Sequence, residues 1–337
     1  MNPFKRNFLQ HALAVGEWMT AHRATGGLDV VTLQMQISLG GKSVRFYPQF
    51  TTRPAEGDVC FIAQLQPGVD GFVGWYPYQR KVWPAAQNKI AFKQIAQRAK
   101  IRIPAWSRQL DDAKGVFLIK SETSSFGLGQ RGPYVRKPGQ DIPDNLQLAD
   151  GEYIEQFILG RLLKAWFWDD RLAVLELSPM PFVEGDGVRS VAQLLQKKLP
   201  PNETFPSSLD SLLRVQGKTQ ASVPSPSEPV VVDYLYTSPL NPAATQDHDI
   251  FPQSHGTALA AQLASAGQTL WAAIPAELRQ GTVMSVDGVV DEKGQIWFLE
   301  ANCNPQLHPS IYDHMLNAVF GLPNTAQTLT AQTEARN

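Results

Sequence analysis

Three side chains in the last sixth of the sequence have types and spacing that suit a divalent cation. Asp287 lies on one side of residues 291–294, a run typical of a turn between two apolar strands, and Glu300 and Asn302 lie on the other. Carboxylate and amide oxygens are the ligands that Mg²⁺ takes from proteins. The alternative is a β-hairpin whose polar side chains simply face water.

The expected register of this hairpin decides whether the three oxygens meet. If Val290 pairs with Gln295, Asp287 faces Phe298 and lies diagonal to Glu300, on the same face of the sheet. Carboxylates at diagonal positions can reach a shared ion. A register slip of one residue would turn Asp287 to the opposite face.

A second group of residues suits phosphate. Lys120 ends an apolar run that we predict to be a strand, and a segment rich in serine and glycine follows at residues 121–132. Glycine lets backbone N–H groups approach phosphate oxygens closely. The segment is not a Walker A loop, because no Gly-Lys-Ser/Thr closes it. Taken alone, an ordinary hairpin loop explains it equally well.

Two further segments could contribute to a binding site. Residues 152–160 are a short apolar stretch that could give a purine ring an apolar slot and backbone hydrogen bonds; an ordinary core strand is the alternative. Residues 185–187, Gly-Asp-Gly, predict a tight turn before Arg189 and Ser190, at a helix start that would favour an anion. A turn followed by a capped helix is the plain alternative.

The elements that must position these residues are helices and strands in irregular alternation. Phe92, Ile95, Ala96 and Ala99 have helical spacing, which predicts a helix over residues 88–99. Further strands are predicted at residues 116–120, 153–158, 162–168, 172–177 and 230–236, with a helix near residues 259–270 and long surface loops at residues 200–229. The regular βαβ rhythm is absent, so we predict an α+β fold with several lobes.

Composition excludes several classes of protein. Thirty Lys and Arg balance thirty-one Asp and Glu among the 337 residues, without the basic excess of a nucleic-acid binder. Two cysteines are too few for a disulfide scaffold and fit a reducing compartment. No apolar run approaches the about 20 residues that span a bilayer, and the first segment is predicted to be an amphipathic helix rather than a signal peptide. We therefore expect a soluble cytoplasmic protein.

The order of these motifs, over residues 85–320, resembles the ATP-grasp superfamily. The resemblance is to its carboxylate–amine ligases, such as glutathione synthetases, cyanophycin synthetases and ribosomal-protein glutamate ligases. It implies an α+β fold built from α/β lobes, with a nucleotide held between two sheet-containing lobes. The implied parts are a substrate-facing N-terminal lobe (1–87), a central lobe with phosphate loop and hinge (88–160), a C-terminal lobe with the metal site and long Pro/Ser-rich loops (161–323), and a disordered tail (324–337).

The resemblance also implies an ATP site. Lys89, with Lys93 one turn later as the alternative, and Lys120 look like the two phosphate lysines of the family. The residues that look like its phosphate loop are Ser124, Ser125, Gly127 and Gly129, and those that look like its adenine hinge are Glu155, Gln156, Phe157 and Ile158. Relatives carry an acid after the hinge glycine to hold the ribose, where this chain has Arg161.

Asp287, Glu300 and Asn302 look like the family's ligands for Mg²⁺, with Mn²⁺ as an alternative. Lys164 matches an arginine position in the strand after the hinge, which implies contact with a phosphate or acyl phosphate. Arg189, and with it Asn241, are candidates to hold the acceptor or the tetrahedral intermediate.

The implied activity is an ATP-dependent ligase. It would phosphorylate a substrate carboxylate to an acyl phosphate and join it to an amine, forming an amide or peptide bond and releasing ADP and phosphate. The implied partners are a small-molecule or peptide carboxylate and an amine acceptor, with no nucleic acid and no membrane; a homo-oligomer is left open. The alternatives are an ATP-grasp phosphotransferase and a degenerate member that binds nucleotide without catalysis.

Overall fold

The structure is a computed structural model that describes residues 3–53, 59–124, 129–136, 146–236, 238–241, 246–254 and 256–323. The predicted disordered tail and the phosphate-loop residues Ser125 and Gly127 lie outside the described residues. Within that part of the chain, no helix combines the length and the apolar content that crossing a bilayer requires.

The first part of the chain is a helix packed on an antiparallel sheet. Helix α1 (Pro3–His22) contacts the last of five strands: β1 (Thr25–Leu28), β2 (Met35–Leu39), β3 (Lys42–Thr52), β4 (Cys60–Ile62) and β5 (Val69–Tyr76). The strand order is β1-β2-β3-β4, and β5 also pairs with the long β3. This N-terminal sheet supplies one wall of the candidate site.

The central part begins with two short helices, α2 (Pro84–Gln87) and α3 (Lys89–Arg98). Asn88 caps α3, since its side-chain oxygen accepts hydrogen bonds from the backbone N–H groups of Ile90 and Ala91 at 2.8 and 3.0 Å. The helix predicted over residues 88–99 is therefore confirmed. The sheet that follows consists of β6 (Trp106–Ser107), β7 (Gly115–Ser121), β8 (Arg131–Arg136) and β9 (Glu152–Gln156), in the order β6-β9-β7-β8.

The C-terminal part is built on a second four-stranded sheet. Its strands are β10 (Arg161–Trp168), β11 (Arg171–Pro179), β14 (Val283–Val290) and β15 (Ile296–Cys303), in the order β11-β10-β14-β15. Between β11 and β14 lie β12 (Phe182–Glu184), α4 (Val191–Lys198), α5 (Leu209–Val215), β13 (Pro229–Val231), α6 (Phe251–Ser254), α7 (Ala258–Ala272) and α8 (Ala276–Arg279). Helix α9 (Ile311–Phe320) follows β15.

Mixed helices and antiparallel sheets confirm the predicted α+β class. Residues 200–229 contain the predicted loops and, between them, α5, which buries Leu209, Leu212 and Leu213. One local prediction is wrong. The strand predicted at residues 230–236 ends at Val231, after which the chain runs irregularly along the edge of the site.

The two faces of β10 pack against different parts of the molecule. Leu163, Ala165 and Phe167 join the core beneath α3 and α7. Trp166 and Trp168, on the opposite face, join a core shared by α1, the N-terminal sheet and α9. This alternation leaves Lys164 on the second face, between two apolar neighbours.

Helices α1 and α9 hold each other through buried polar contacts. Trp18 Nε1 donates a hydrogen bond to Asn317 Oδ1 at 2.8 Å, and His11 Nδ1 lies 2.9 Å from the Tyr312 hydroxyl. These pairs are separated by 299 and 301 residues in the sequence. The first and last described helices therefore belong to one core.

His11 gives this interface a pH dependence. Its ring is buried, and burial, with a further contribution from His308, lowers its pKa to about 3. In the unfolded chain the pKa of His11 has its ordinary value near 6.5. Below that pH the unfolded state binds a proton that the folded state excludes, so the protein becomes less stable as the pH is lowered.

We expect protonation of His11 in the unfolded state to lower the free energy of unfolding by about 1.4 kcal/mol for each pH unit below 6.5. Urea unfolding at pH 7.5 and 5.5 should show a smaller loss for His11→Gln than for wild type. Equal losses for wild type and His11→Gln would contradict the assignment.

Glycines in α7 and α1 should respond oppositely to the same substitution. A Cβ on Gly267 would lie 2.1 Å from Cε1 of the buried Phe167, whereas one on the exposed Gly16 would meet nothing within 4 Å. We expect Gly267→Ala to lower the free energy of unfolding by about 1–3 kcal/mol, because the added methyl group overpacks the core. We expect Gly16→Ala to raise it by about 0.5–1 kcal/mol, because alanine has the higher helix propensity. Thermal unfolding measures both, and a Gly267→Ala variant as stable as wild type or more stable would show that α7 leaves room for a methyl group beside Phe167.

Candidate functional site

A row of four charged side chains crosses the C-terminal sheet, one on each strand. Lys164 of β10 pairs with Glu176 of β11 on one side and with Asp287 of β14 on the other, and Asp287 pairs with Glu300 of β15. Cross-strand partners point to the same face of a sheet. All four line a cavity of about 1710 Å³ that extends between this sheet, the central sheet and the N-terminal sheet.

The register of the β14–β15 hairpin corrects the sequence analysis. Val290 pairs with Ile296 rather than Gln295, and a β-bulge after Asp287 places that residue directly opposite Glu300 rather than diagonal to it. The alternation of residue types cannot reveal one extra residue in a strand, and bulges of this kind commonly re-aim side chains at functional sites. Here the bulge brings the two carboxylates side by side.

The contacts around Asp287 form a compact set of oxygens and cations. Lys164 Nζ lies 2.7 Å from Asp287 Oδ1, and Asn302 Nδ2 donates to Asp287 Oδ2 at 3.2 Å. Lys89 Nζ lies 3.3 Å from Glu300 Oε2. The three residues predicted as metal ligands are therefore adjacent.

Electrostatics in this set favour a bound cation. Burial raises the pKa of Asp287 and the charge of Glu300 raises it further, against the opposing effect of Lys164. Burial also acts on Glu300, but the charges of Lys89, Lys120 and Lys164 hold its pKa below the usual value. A divalent cation held by both carboxylates would remove their repulsion. The oxygen donors present therefore fit Mg²⁺.

A buried trio of charges includes Lys120, the second of the two lysines predicted to contact phosphate. Glu155 is held between Lys93 and Lys120, with Lys120 Nζ 2.5 Å from Glu155 Oε1. The side chains of Lys93 and Glu155 are 0% and 1% exposed. Despite burial, the two lysines hold the pKa of Glu155 below its usual value. Two cations against one carboxylate leave one positive charge, which suits a nearby anion.

The trio also shows how the two candidate phosphate lysines of α3 differ. Lys89 and Lys120 line the cavity, whereas Lys93 is enclosed with Glu155. The Lys89 ammonium also donates to the Ser124 carbonyl, at the start of the predicted phosphate loop. The geometry therefore favours Lys89 over Lys93 for contact with a ligand, while Lys93 neutralises Glu155.

An apolar slot continues the cavity beyond these lysines. Its lining is Leu118 and Phe157 beside the central sheet, Leu162, Val289 and Leu299 of the C-terminal sheet, and Met180. In the predicted hinge, Gln156 N–H donates to Ala105 O at 2.8 Å and Phe157 N–H to Val116 O at 2.9 Å. No acceptor among the described residues takes the N–H of Ile158. The slot therefore offers a flat ring two apolar walls and one backbone donor.

The other predicted loop residues are only partly placed. Ser124 lines the cavity. Gly129 has a φ of +69° before β8, a backbone conformation that favours glycine. The roles proposed for these residues and for Ser125 and Gly127 stay predictions.

Arg189 is not brought to the charge row. Its Nε donates to Asp186 Oδ2 at 2.6 Å, and the same carboxylate accepts from the backbone N–H groups of Val188 and Arg189. Ser190 then caps α4, which matches the alternative of a turn followed by a capped helix. Arg189 does not belong to the residues that line the cavity in the described part of the chain. Its catalytic role stays a prediction that the geometry does not favour.

Asn241 lies at the cavity edge, where its side-chain N–H groups donate to the carbonyls of Leu235 at 3.1 Å and Tyr236 at 2.9 Å. It therefore shapes the loop that borders the cavity.

Glu176, at the far end of the row, was not singled out from the sequence. Its Oε2 accepts a hydrogen bond from the Tyr236 hydroxyl. His308 Nε2 lies 3.2 Å from Glu176 Oε1 but out of line for a hydrogen bond, so neither atom has a hydrogen-bond partner among the described residues. The signal available was that Glu176 is the one charged residue in the apolar run 172–177.

Comparisons with known proteins give structural likeness without sequence matches. No protein-family model matches the chain, and no curated protein matches it. A bifunctional glutathione synthetase from Pasteurella multocida has a TM-score of 0.44 and 14% identity, over 91% of this chain and 43% of that one. An ATP complex of D-alanine–D-alanine ligase from Bacillus anthracis has a TM-score of 0.31 and 12% identity, over 75% of this chain and 67% of that one. An L-amino acid ligase from Bacillus licheniformis has a TM-score of 0.31 and 10% identity, over 69% and 43%.

The chain thus spans less than half the length of the glutathione synthetase. Likeness at TM-scores below 0.5 leaves the assignment of an activity to the residues of the site.

Proposed function

We propose that this chain is an ATP-grasp enzyme that binds Mg–ATP in the large cavity and activates a carboxylate for ligation to an amine. The observation that carries the proposal is the charge row together with Lys89 and Lys120: two adjacent carboxylates and three lysines around one cavity. An ADP-forming ligase of this kind would work in the cytoplasm, where ATP is available.

The nucleotide would lie between the central sheet and the C-terminal sheet. The apolar slot would hold adenine, with the Ile158 N–H as donor to the ring. Lys89 and Lys120 would offset the charge of the phosphates, and because Lys93 neutralises Glu155 the positive charge of Lys120 stays available to them. Gly129 and the serines of the phosphate loop would cover the phosphates.

Asp287, Glu300 and Asn302 would hold Mg²⁺, with Mn²⁺ as the alternative. The bound ion would neutralise charge on the phosphate oxygens and orient them. For that role the Asn302 amide must turn its oxygen, rather than its nitrogen, toward the ion.

The reaction requires alignment and charge neutralisation more than covalent help from the protein. A carboxylate oxygen of the substrate attacks the γ-phosphorus, the bond to the bridging oxygen breaks, and ADP leaves. The amine then attacks the acyl carbon, phosphate leaves, and the nitrogen loses a proton. Lys164, between Asp287 and Glu176, would stabilise negative charge on the transferred phosphoryl group.

Trapping with hydroxylamine tests the carboxylate half of the proposal. Purified protein, ATP and Mg²⁺ are mixed with a panel of amino acids and short peptides, with ADP release and product mass as readouts. With the correct acid, hydroxylamine should yield a hydroxamate, which requires an acyl phosphate. A phosphorylated alcohol without hydroxamate would indicate a phosphotransferase, and ATP binding without turnover across the panel would indicate a non-catalytic nucleotide-binding protein.

A further inference from the structure

Glu176 is a carboxylate at the end of the charge row where neither metal nor phosphate is expected. It lies on the strand beyond Lys164, so the lysine separates it from Asp287 and Glu300. Neighbouring strands lie about 4.8 Å apart, which places Glu176 about 10 Å from the strand of Asp287. A third carboxylate at that distance adds nothing to a Mg²⁺ site and repels phosphate.

The Glu176 side chain is nevertheless held in place and buried. It is 7% exposed, and Tyr236 donates to one of its oxygens. The ring of His308, itself fully buried, is fixed beside the other oxygen because the Ser310 N–H donates to His308 Nδ1 at 3.1 Å. The second oxygen has only His308 Nε2 beside it, 3.2 Å away and out of line for a hydrogen bond, so it can accept from a further donor.

Two aromatic rings near Glu176 already face the ammonium group of Lys164. Lys164 Nζ lies 5.0 Å from the centre of the Tyr236 ring and 5.6 Å from that of Trp166. Aromatic faces of this kind attract organic cations. The wall around Glu176 therefore combines one carboxylate with two rings that already face the Lys164 ammonium.

We propose that Glu176 binds a protonated amino group of the acceptor substrate, and that Tyr236 and His308 hold its carboxylate for this purpose. The acceptor is thereby a primary amine that enters as an ammonium ion, gives one N–H proton to the Glu176 carboxylate, and as the free amine attacks the acyl carbon beside Lys164. The inference rests on the proposed ligase function and names the charge of its second substrate.

A binding experiment without turnover tests the site. The probes are L-alaninamide, which carries an ammonium group but no carboxylate, and N-acetyl-L-alaninamide, which lacks the ammonium group. Each is titrated calorimetrically into the full chain with Mg²⁺ and a non-hydrolysable ATP analogue. We expect wild type to bind only L-alaninamide, and Glu176→Gln to bind it at least about tenfold more weakly, the scale of a charge-assisted hydrogen bond.

Matched variants keep the result interpretable. Glu184→Gln removes an exposed glutamate of β12 and should bind like wild type. Glu176→Asp keeps the charge and should retain part of the affinity, which covers the case in which Glu176→Gln does not fold. No binding of L-alaninamide to wild type, equal binding to Glu176→Gln, or equal binding of the acetylated probe would each overturn the inference.

Hydroxylamine separates this inference from the proposed function. It is uncharged at neutral pH, so hydroxamate formation by the wild-type protein reports the acyl phosphate without using the ammonium site. Hydroxamate formation together with Glu176-independent binding of L-alaninamide would refute the ammonium site and leave the ligase. Glu176-dependent binding without any hydroxamate would refute the ligase and leave the ammonium site.

Discussion

Glu300→Gln is expected to reduce ADP release at least about 100-fold at saturating ATP, which exceeds the usual effect of losing a residue that only supports a metal ligand. The substitution keeps the shape of the side chain but removes one of the two carboxylates that the β-bulge places side by side. Asp287, already paired with Lys164, would be left as the only anion for Mg²⁺. ADP release measured across a series of Mg²⁺ concentrations should show both a lower rate and a higher requirement for the metal.

The control for Glu300 lies in the same hairpin. Glu292 is exposed in the turn between β14 and β15, so Glu292→Gln changes the same residue type without touching the cavity. It should retain wild-type ADP release. A Glu300→Gln variant that folds and releases ADP at the wild-type rate would remove Glu300 from the metal ligands.

The largest effect on stability is expected at Glu155. Replacing it with Gln leaves Lys93 and Lys120 buried together without an opposite charge. Breaking a buried ion pair by removing one partner costs about 3–5 kcal/mol. Urea unfolding at neutral pH should therefore show a loss of this size.

Lys93→Met provides the informative comparison. It removes the enclosed lysine, leaves the Glu155–Lys120 pair balanced, and fills similar space with an apolar chain. We expect a cost below about 1 kcal/mol or a small gain. In the double variant, Lys93→Met should recover part of the Glu155→Gln loss, giving an interaction energy of about 1–3 kcal/mol. A loss near zero for Glu155→Gln alone would mean that the trio is hydrated or that a lysine loses its proton.

Local signals predicted much of the fold and drew attention to several residues that the structure brings together in the cavity. Asn88 and Ser190 mark helix starts that the structure confirms, and the turn at residues 291–294 joins the two strands expected of it. Lys164 could be recognised because it interrupts the apolar run of β10. Such features depend on neighbours within a few residues, which a sequence displays directly.

Features that depend on distant partners could not be predicted in the same way. The extra residue that aligns Asp287 with Glu300 follows from packing of the whole sheet. Glu155 of β9 is buried in ion pairs with Lys93 of α3 and Lys120 of β7. A residue predicted to belong to the adenine hinge therefore also links three elements of the fold. Glu176 is held in the cavity by Tyr236 and His308, which lie 60 and 132 positions later in the chain.

The pairing of α1 with α9 has a consequence for how the protein is made. Trp18 and His11 find their partners about 300 residues later, so the ribosome finishes nearly every other element before α9 can cover α1. Until then the aromatic side chains of α1 and the N-terminal sheet lack part of their cover. Chains with such distant contacts fold slowly and expose apolar surface while they wait. Nascent chains that stop before α9 should therefore be bound by chaperones, whereas the complete chain should be released.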